Sequence, residues 1–307
     1  MLVIGTGALA CLFGARLAHS GRARVTLAGT WREGLRALRT HAIRLQQDHD
    51  VVVVPVGVRH LLDVLEPSHC VLVLVKSHQT AAVAPAVASA LRPEGIAVTL
   101  QNGLGNRETL EAVIGRGRVG VGVVTAGATL VAPGHVRSTP GSVALAASPS
   151  KTSALGTLLS ATGFAVSVEG DLDRLVWSKL VVNCAINPLS ALWGLPNGAL
   201  IETPEPRATL VRAALEVGAV AAAKGIELGA DAAELALRVA RETAVNRSSM
   251  LQDLDRGART EIDALNGALV REARTLGVEV PVNESLWRRV LRKEGRTPAA
   301  TAACGAA

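Results

Sequence analysis

Tyrosine is absent from this sequence, so no mechanism here can use a phenolic acid. The seven histidines, His19, His41, His49, His60, His69, His78 and His135, all lie in the first 135 residues. The second half must therefore do any proton chemistry without imidazole. Lysine is scarce, with 5 against 27 arginines. In so arginine-rich a chain a retained lysine reflects either drift or a need for an ammonium with a titratable proton, and the sequence leaves both open. Cys11, Cys70, Cys184 and Cys304 form no CxxC pair and no regular spacing. That argues against a zinc site or a disulfide framework, so no metal is expected and a reducing cytoplasm is the default compartment.

What is present describes an ordinary globular chain. Of 307 residues, 49% are hydrophobic and 19% charged, and 30 are glycine without a fixed period. At roughly 150 residues per domain, this length predicts two domains with separate cores. The net charge of +6 is unevenly placed: residues 1 to 170 carry 15 basic and 9 acidic groups, and the remainder 17 of each. An excess confined to the first half suits a small polyanion such as a dinucleotide. No Lys/Arg stripe interleaved with aromatics is present, so nucleic acid is not an expected partner. The stretch Met1 to Cys11 is apolar but lacks a basic leader, and is read as structure rather than signal. Leu180 to Ile201 carries no charge, yet Asn183, Asn187, Pro188, Pro196 and Asn197 within it predict a buried helix and turn rather than a membrane span.

Along the first half, β-branched runs alternate with helical stretches, the pattern of a parallel sheet covered on both faces. Strands are predicted at Leu2 to Gly5, Arg24 to Ala28, Val51 to Val56, Val71 to Val75, Ile96 to Leu100 and Val119 to Val124. A more antiparallel section follows, with strands near Ala128 to Val136 and Ser142 to Ala146, a helix over Ser150 to Ala161 and a last strand at Phe164 to Val168. The domain boundary is expected at Glu169-Gly170-Asp171, giving domains 1–170 and 171–307. Beyond it the hydrophobic period becomes 3.6, predicting helices over 172 to 192, 205 to 225, 230 to 245, 260 to 276 and 282 to 293. The tail Thr297 to Ala307 is small and polar and is expected to fray.

Gly5-Thr-Gly7-Ala-Leu-Ala10 directly follows the first strand and opens a helix. This G-x-G-x-x-A pattern supplies a tight turn at Gly5, close backbone approach to a pyrophosphate at Gly7, and a small residue where helix meets strand at Ala10. An NAD site would place Asp or Glu at the end of the second strand. Here the segment reads Leu27-Ala-Gly-Thr30-Trp31-Arg32, with no acid before Glu33. Thr30 and Arg32 can hold a 2′-phosphate, which predicts NADPH; a solvated arginine at a helix start is the plainer alternative. Lys76 follows the fourth strand, and Gln101-Asn102-Gly103 follows the fifth. Both lie on the carboxyl edge where such sheets bind ligands, although either could be a simple turn.

In the second half, Lys179, Asn183 and Asn187 are spaced i, i+4, i+8 and form one polar stripe on an otherwise apolar helix. An unpaired buried amide costs about 1 to 3 kcal/mol and an ammonium more, so the stripe must face polar partners or a ligand. Desolvation would also lower the lysine pKa, as suits a proton donor. Asn246 to Asp253 and Thr260 to Asp263 read as helix starts, with Ser249 and Gln252 as a capping box and Glu261 as a first-turn acid. A hydroxyl at a helix N-terminus is equally a carboxylate-binding site.

These blocks together resemble the ketopantoate reductase (2-dehydropantoate 2-reductase) family over nearly the whole chain. The resemblance rests on G-x-G-x-x-A at Gly5, Lys76, Gln-Asn-Gly at 101 to 103, and Trp-x-Lys-Leu-x-x-Asn-Cys-x-Ile-Asn-Pro-Leu at 177 to 189. Pro-Asn-Gly at 196 to 198, Ser-Met-Leu-Gln-Asp at 249 to 253 and Thr-Glu-Ile-Asp at 260 to 263 complete it. It implies an α/β N-terminal Rossmann-type dinucleotide-binding domain and an all-α C-terminal domain of the 6-phosphogluconate dehydrogenase C-terminal-like kind, with the active site in the cleft between them. NADPH would deliver hydride to the ketone carbon of a 2-oxo acid, ketopantoate first among them, yielding pantoate for pantothenate and coenzyme A synthesis. Lys179 would donate the proton and Glu261 would hold the distal hydroxyl of the substrate. Ser249, Asn183, Asn187 and Asn102 would orient substrate and lysine, while Asn197 and Glu216 match family positions without a firm role. The exit of the second strand departs from the commoner family arrangement, which has an arginine close behind the strand. Two alternatives stay open: a paralogue reducing another 2-oxo acid or an imine, and a dinucleotide-binding regulator without catalysis. A pure regulator has no use for Lys179 with Glu261. The apolar helix faces leave a homodimer open without specifying it.

Overall fold

The computed structural model describes residues 1–146 and 152–297. The chain divides into two compact units, Met1–Asp173 and Arg174–Ala307.

The first unit is built on alternating strands and helices: β1 (Leu2–Ile4), α1 (Ala8–His19), β2 (Thr26–Gly29), α2 (Arg32–His41), β3 (Ile43–Gln47), β4 (Asp50–Val54), β5 (Gly57–His60), β6 (Ser68–Val73), α3 (Thr80–Ala90), β7 (Leu91–Thr99), α4 (Asn106–Ile114), β8 (Val119–Val124), β9 (Gly127–Ala132), β10 (His135–Thr139), β11 (Ser142–Ala146), α5 (Thr152–Ser160) and β12 (Ala165–Glu169). Eight strands form one sheet in the order β12-β11-β8-β7-β6-β1-β2-β5, parallel from β8 to β5, with β11 antiparallel to β8. Period-two alternation sends side chains to both faces. Val3, Leu27, Leu72 and Val98 pack in one apolar layer with Leu12, Phe13, Leu35 and Leu38, which belong to α1 and α2. Leu2, Ile4, Val71, Val73 and Ala97 pack in the other with Val83, Val87, Leu110 and Ile114, from α3 and α4. The chain thus changes faces between β1 and β6, a Rossmann-type arrangement in which the switch point marks the binding edge. The two phenylalanines of the chain, Phe13 and Phe164, stack at 4.7 Å on the α1 side.

A second sheet has the order β4-β3-β10-β9. The valine run at 51 to 56 therefore does not join the parallel sheet, as expected from sequence, but forms an edge strand with Val51, Val52 and Val53 exposed. A β-branched run specifies extended backbone without specifying its partner. The single strand expected over Ala128 to Val136 is a hairpin instead, turned at Pro133-Gly134 with Gly134 at φ +71°. The helix expected from Ser150 is described from Thr152; its start, and the tail beyond Thr297, lie outside the described residues.

Among its described residues the second unit contains helices and no strand: α6 (Asp173–Trp193), α7 (Asn197–Glu202), α8 (Pro204–Ala223), α9 (Ala232–Glu242), α10 (Ser249–Asp255), α11 (Asn266–Leu276) and α12 (Pro281–Lys293). By length and composition α6 could cross a membrane, but 61% of its most apolar window is buried inside the protein. Pro188 sits inside α6 and has no N–H for the carbonyl of Cys184. The Asn266 side chain replaces it, donating from Nδ2 to Cys184 O at 3.0 Å and to Asn283 Oδ1 at 2.9 Å. Asn283 in turn donates to Ala213 O at 3.0 Å and Glu216 Oε2 at 2.8 Å. One polar chain thus ties α6 to α11, α12 and α8.

Three expectations need correction here. The helix predicted from Thr260 starts only at Asn266, after a bend at Glu261 and turns over 262 to 265. Glu261 is accordingly not a first-turn acid. The cap of α10 is Ser248, whose Oγ accepts from Leu251 N at 3.1 Å, while the Gln252 amide donates to Arg247 O at 2.9 Å, so Ser249 and Gln252 make no capping box.

Glu216 accepts from Val282 N and Asn283 N, both at 2.8 Å, and so caps α12 from α8. Removing a capping carboxylate costs about 2 kcal/mol. Glu216→Ala should therefore lower the urea unfolding free energy by about that amount while cofactor binding is retained; an unchanged midpoint would deny the cap its role.

Candidate active site

The candidate residues fall into two groups, one in each unit. In the first, β1, β2, β6 and β7 end side by side and deliver their following loops to one edge of the sheet. Gly5 adopts φ +134°, and a Cβ there would lie 2.8 Å from Leu74 O and 3.3 Å from the Ala10 methyl. Only glycine fits that turn, and only a small residue fits at position 10. Gly7 is the N-cap of α1, with extended backbone, no side-chain cap and no acid in the first turn. A Cβ at Gly7 would have nothing within 4 Å. The first N–H groups of a 12-residue helix are thus uncapped by side chains, where backbone can approach a phosphate closely. These features fit a dinucleotide pyrophosphate.

Thr30 and Arg32 lie exposed at the end of β2 and the start of α2. Between them the Trp31 indole covers Gly34, where a Cβ would fall 2.2 Å from the ring. Lys76 and Asn102 are brought together by a network that sequence reasoning did not resolve. Ser77 Oγ donates to Asn102 O at 2.7 Å, and Asn106 Nδ2 donates to the same oxygen at 3.0 Å. Buried Thr80 donates to Asn106 Oδ1 at 2.8 Å and accepts from Gln101 Nε2 at 2.9 Å, which also reaches Val75 O at 2.8 Å. The two loops are therefore one hydrogen-bonded body. Gln101 and Asn106 are visible as amides in a glycine-rich loop; Thr80 carried no signal at all.

In the second unit, Lys179, Asn183 and Asn187 lie on one stripe of α6, with Lys179 and Asn183 partly exposed and Asn187 buried. Ser248 Oγ donates to Asn187 O at 3.5 Å, so the buried hydroxyl next to the stripe is Ser248, while Ser249 is exposed. Glu261 is 7% exposed. Its carboxylate acts on Lys179: desolvation pushes the ammonium down to about 8, and Glu261 opposes that shift. The unit therefore holds an amine able to lose its proton near neutral pH, beside a buried acid. Asn197 donates from Nδ2 to Thr243 Oγ1 at 2.8 Å and ties α7 to the end of α9. Among the described residues, no three His, Cys, Asp or Glu side chains are grouped to hold a metal ion.

Residues 1–150 match the family model described as ketopantoate reductase PanE/ApbA, and residues 171–294 match that of its C-terminal region. The chain belongs to the ketopantoate reductase family. Within it, the chain is 37% identical over 292 residues to the 2-dehydropantoate 2-reductase of Halobacterium salinarum, covering 93% of this chain and 96% of that protein. Among solved structures, a PanE/ApbA family ketopantoate reductase from Ralstonia eutropha JMP134 aligns with a TM-score of 0.87 at 32% identity, covering 96% of this chain and 99% of that one. A D-mandelate dehydrogenase with NADH and anilino(oxo)acetate aligns with a TM-score of 0.90 at 25% identity, with the same coverage.

For this member of the ketopantoate reductase family, competitive amine labelling across pH should give Lys179 an apparent pKa near 8, well below the ordinary lysine value. Because Glu261 raises that pKa, Glu261→Gln should lower it further. An ordinary value in the native protein would remove the desolvated amine from the account.

Proposed function

We propose that this chain reduces 2-dehydropantoate to pantoate with NADPH, using Lys179 as general acid, in pantothenate and coenzyme A biosynthesis. The observation that carries this reading is the partly desolvated Lys179 ammonium under the charge of buried Glu261. In a half without tyrosine or histidine, it is the acid best suited to give up a proton near neutrality.

A bound nicotinamide dinucleotide supplies the hydride. Gly5, Gly7 and Ala10 would admit its pyrophosphate to the first turn of α1, and Thr30 and Arg32 would hold the 2′-phosphate. Lys76 and Asn102, held by the Thr80–Gln101–Asn106 network, would line the same edge, with the Asn102 amide also facing substrate. Lys179 Nζ passes its proton to the substrate oxygen as the ketone becomes an alkoxide. Glu261 accepts a hydrogen bond from the distal hydroxyl, and Asn183, Asn187 and Ser249 orient substrate and lysine. The exposed Ser249 hydroxyl at the start of α10 suits a carboxylate. Residence in the cytoplasm accords with this role.

A second reading is favoured by the likeness to D-mandelate dehydrogenase: reduction of another 2-oxo acid, with NADH. Oxidation of NADPH and NADH at 340 nm, with ketopantoate beside other 2-oxo acids, separates the two. Selective turnover of ketopantoate with NADPH is expected; faster turnover of an aryl 2-oxo acid with NADH would replace the reading. Lys179→Ala should lower kcat by at least ~10²-fold with NADPH affinity nearly kept, and unchanged turnover would take the lysine out of the mechanism. Arg32→Ala should narrow the preference for NADPH over NADH, whereas an unaltered ratio would move the 2′-phosphate contact elsewhere.

A further inference from the structure

Glu261 is the one proposed substrate contact in the second unit that no helix or helix end positions. It lies in the turns between α10 and α11, where its carbonyl accepts from Ala264 N at 3.0 Å and Leu265 N at 3.1 Å, and Leu265 breaks the approach to α11 with φ −99° and ψ −100°. These local bonds shape the turn, and side chains tie it to the rest of the unit, chiefly from α12 and the residues just after it. On one flank, Thr260 N donates to Glu294 Oε1 at 2.6 Å, and Glu294 is paired with Arg296. On the other, the Asp263 carboxylate accepts from Trp287 Nε1 at 2.9 Å, from Arg259 at 3.1 Å and from Arg296. Arg271 also donates to Asp263 O at 2.9 Å.

We infer that Asp263, anchored by Trp287 and Arg296, is a positioning residue that fixes Glu261 and thereby sets the preference for a hydroxylated 2-oxo acid.

Three further features support this. Burial alone would raise the Asp263 carboxyl, but the hydrogen bonds from Arg296, Trp287 and Arg259 outweigh it and hold it below the usual range, so the anchor is a charged acceptor. The indole reaches Asp263 across Gly267: a Cβ there would lie 3.0 Å from both Trp287 Cε2 and Nε1, so glycine one turn beyond Asp263 keeps the path open. Trp287 is buried, so its N–H has a strong need for this partner. Arg296 joins both flanks by pairing with Asp263 and Glu294 together. The segment carrying Glu261 is thus tied on each side to α12, at Trp287 in its middle and at Glu294 and Arg296 just past its end.

The selectivity part of this inference rests on the reductase reading above; the clamp does not. Trp287→Phe removes one donor while keeping an aromatic ring in the buried site, and Asp263→Asn removes the charge. In an active enzyme both should raise KM for ketopantoate about tenfold, the scale of one misaligned hydrogen bond to a charged group. Assayed at about pH 6, where Lys179 stays protonated, they should leave kcat within about twofold and NADPH affinity unchanged. KM for 2-oxoisovalerate, which lacks the distal hydroxyl, should not move, and neither substitution should add to the effect of Glu261→Ala. Equal loss with both substrates, or additive loss in the Glu261→Ala background, would make the cluster merely structural. If wild type fails to turn over ketopantoate, the reductase reading falls and amine labelling still tests the clamp. Trp287→Phe and Asp263→Asn should each lower the Lys179 pKa in the direction of Glu261→Gln, because a displaced Glu261 no longer supports the ammonium. An unmoved Lys179 in Trp287→Phe, the gentler variant, would overturn the clamp.

Discussion

Keeping an ammonium group in a weakly solvated place is the constraint on which the second unit depends. Lys179 can be held there because α6 is apolar around it, with Trp177, Leu180, Val181 and Cys184 buried. Desolvation of the charged form is unfavourable, and the nearby Glu261 carboxylate recovers part of that loss. The balance leaves the amine near its titration point rather than neutralising it outright. Fixing that balance requires α6 to be rigid despite an internal proline. The replacement of the missing Pro188 N–H by the Asn266 amide, continued through Asn283 to Glu216, supplies the rigidity from three other helices.

The first unit answers a different demand, bringing backbone close to a polyanion. Glycine at 5 and alanine at 10 are required by contacts of 2.8 and 3.3 Å that larger residues could not make. The loops after β6 and β7 are then cross-linked by Thr80, Gln101 and Asn106, so that Lys76 and Asn102 stand on one fixed body rather than on two independent loops. Buried amide networks of this kind rigidify when every member has a partner.

Features determined by near neighbours were legible in the amino-acid sequence, and those determined by distant ones were not. The G-x-G-x-x-A turn follows from residues within six positions of each other. The stripe of Lys179, Asn183 and Asn187 follows from helical spacing alone. By contrast, Val51 to Val56 signalled a strand of the parallel sheet; residues up to Val54 instead pair with adjacent β3 in a tight hairpin, and what draws that hairpin into a separate sheet is β10, whose His135 lies opposite Arg44 of β3. The start of α11 was misplaced because Thr260 and Asp263 are engaged by Glu294 and Trp287, separated from them by 34 and 24 positions. Ser248 and Ser249 are chemically equivalent neighbours, and only the hydrogen bond to Leu251 N tells which one caps α10.

The pH dependence of kcat/KM for ketopantoate reduction tests the central claim most directly, because it reports ionisation of the free enzyme. With Lys179 as the proposed acid, which acts only when protonated, activity should be full below its pKa and fall tenfold per pH unit above about 8. A profile that stays flat to pH 10, or one that rises through pH 8, would contradict a desolvated lysine as the proton donor.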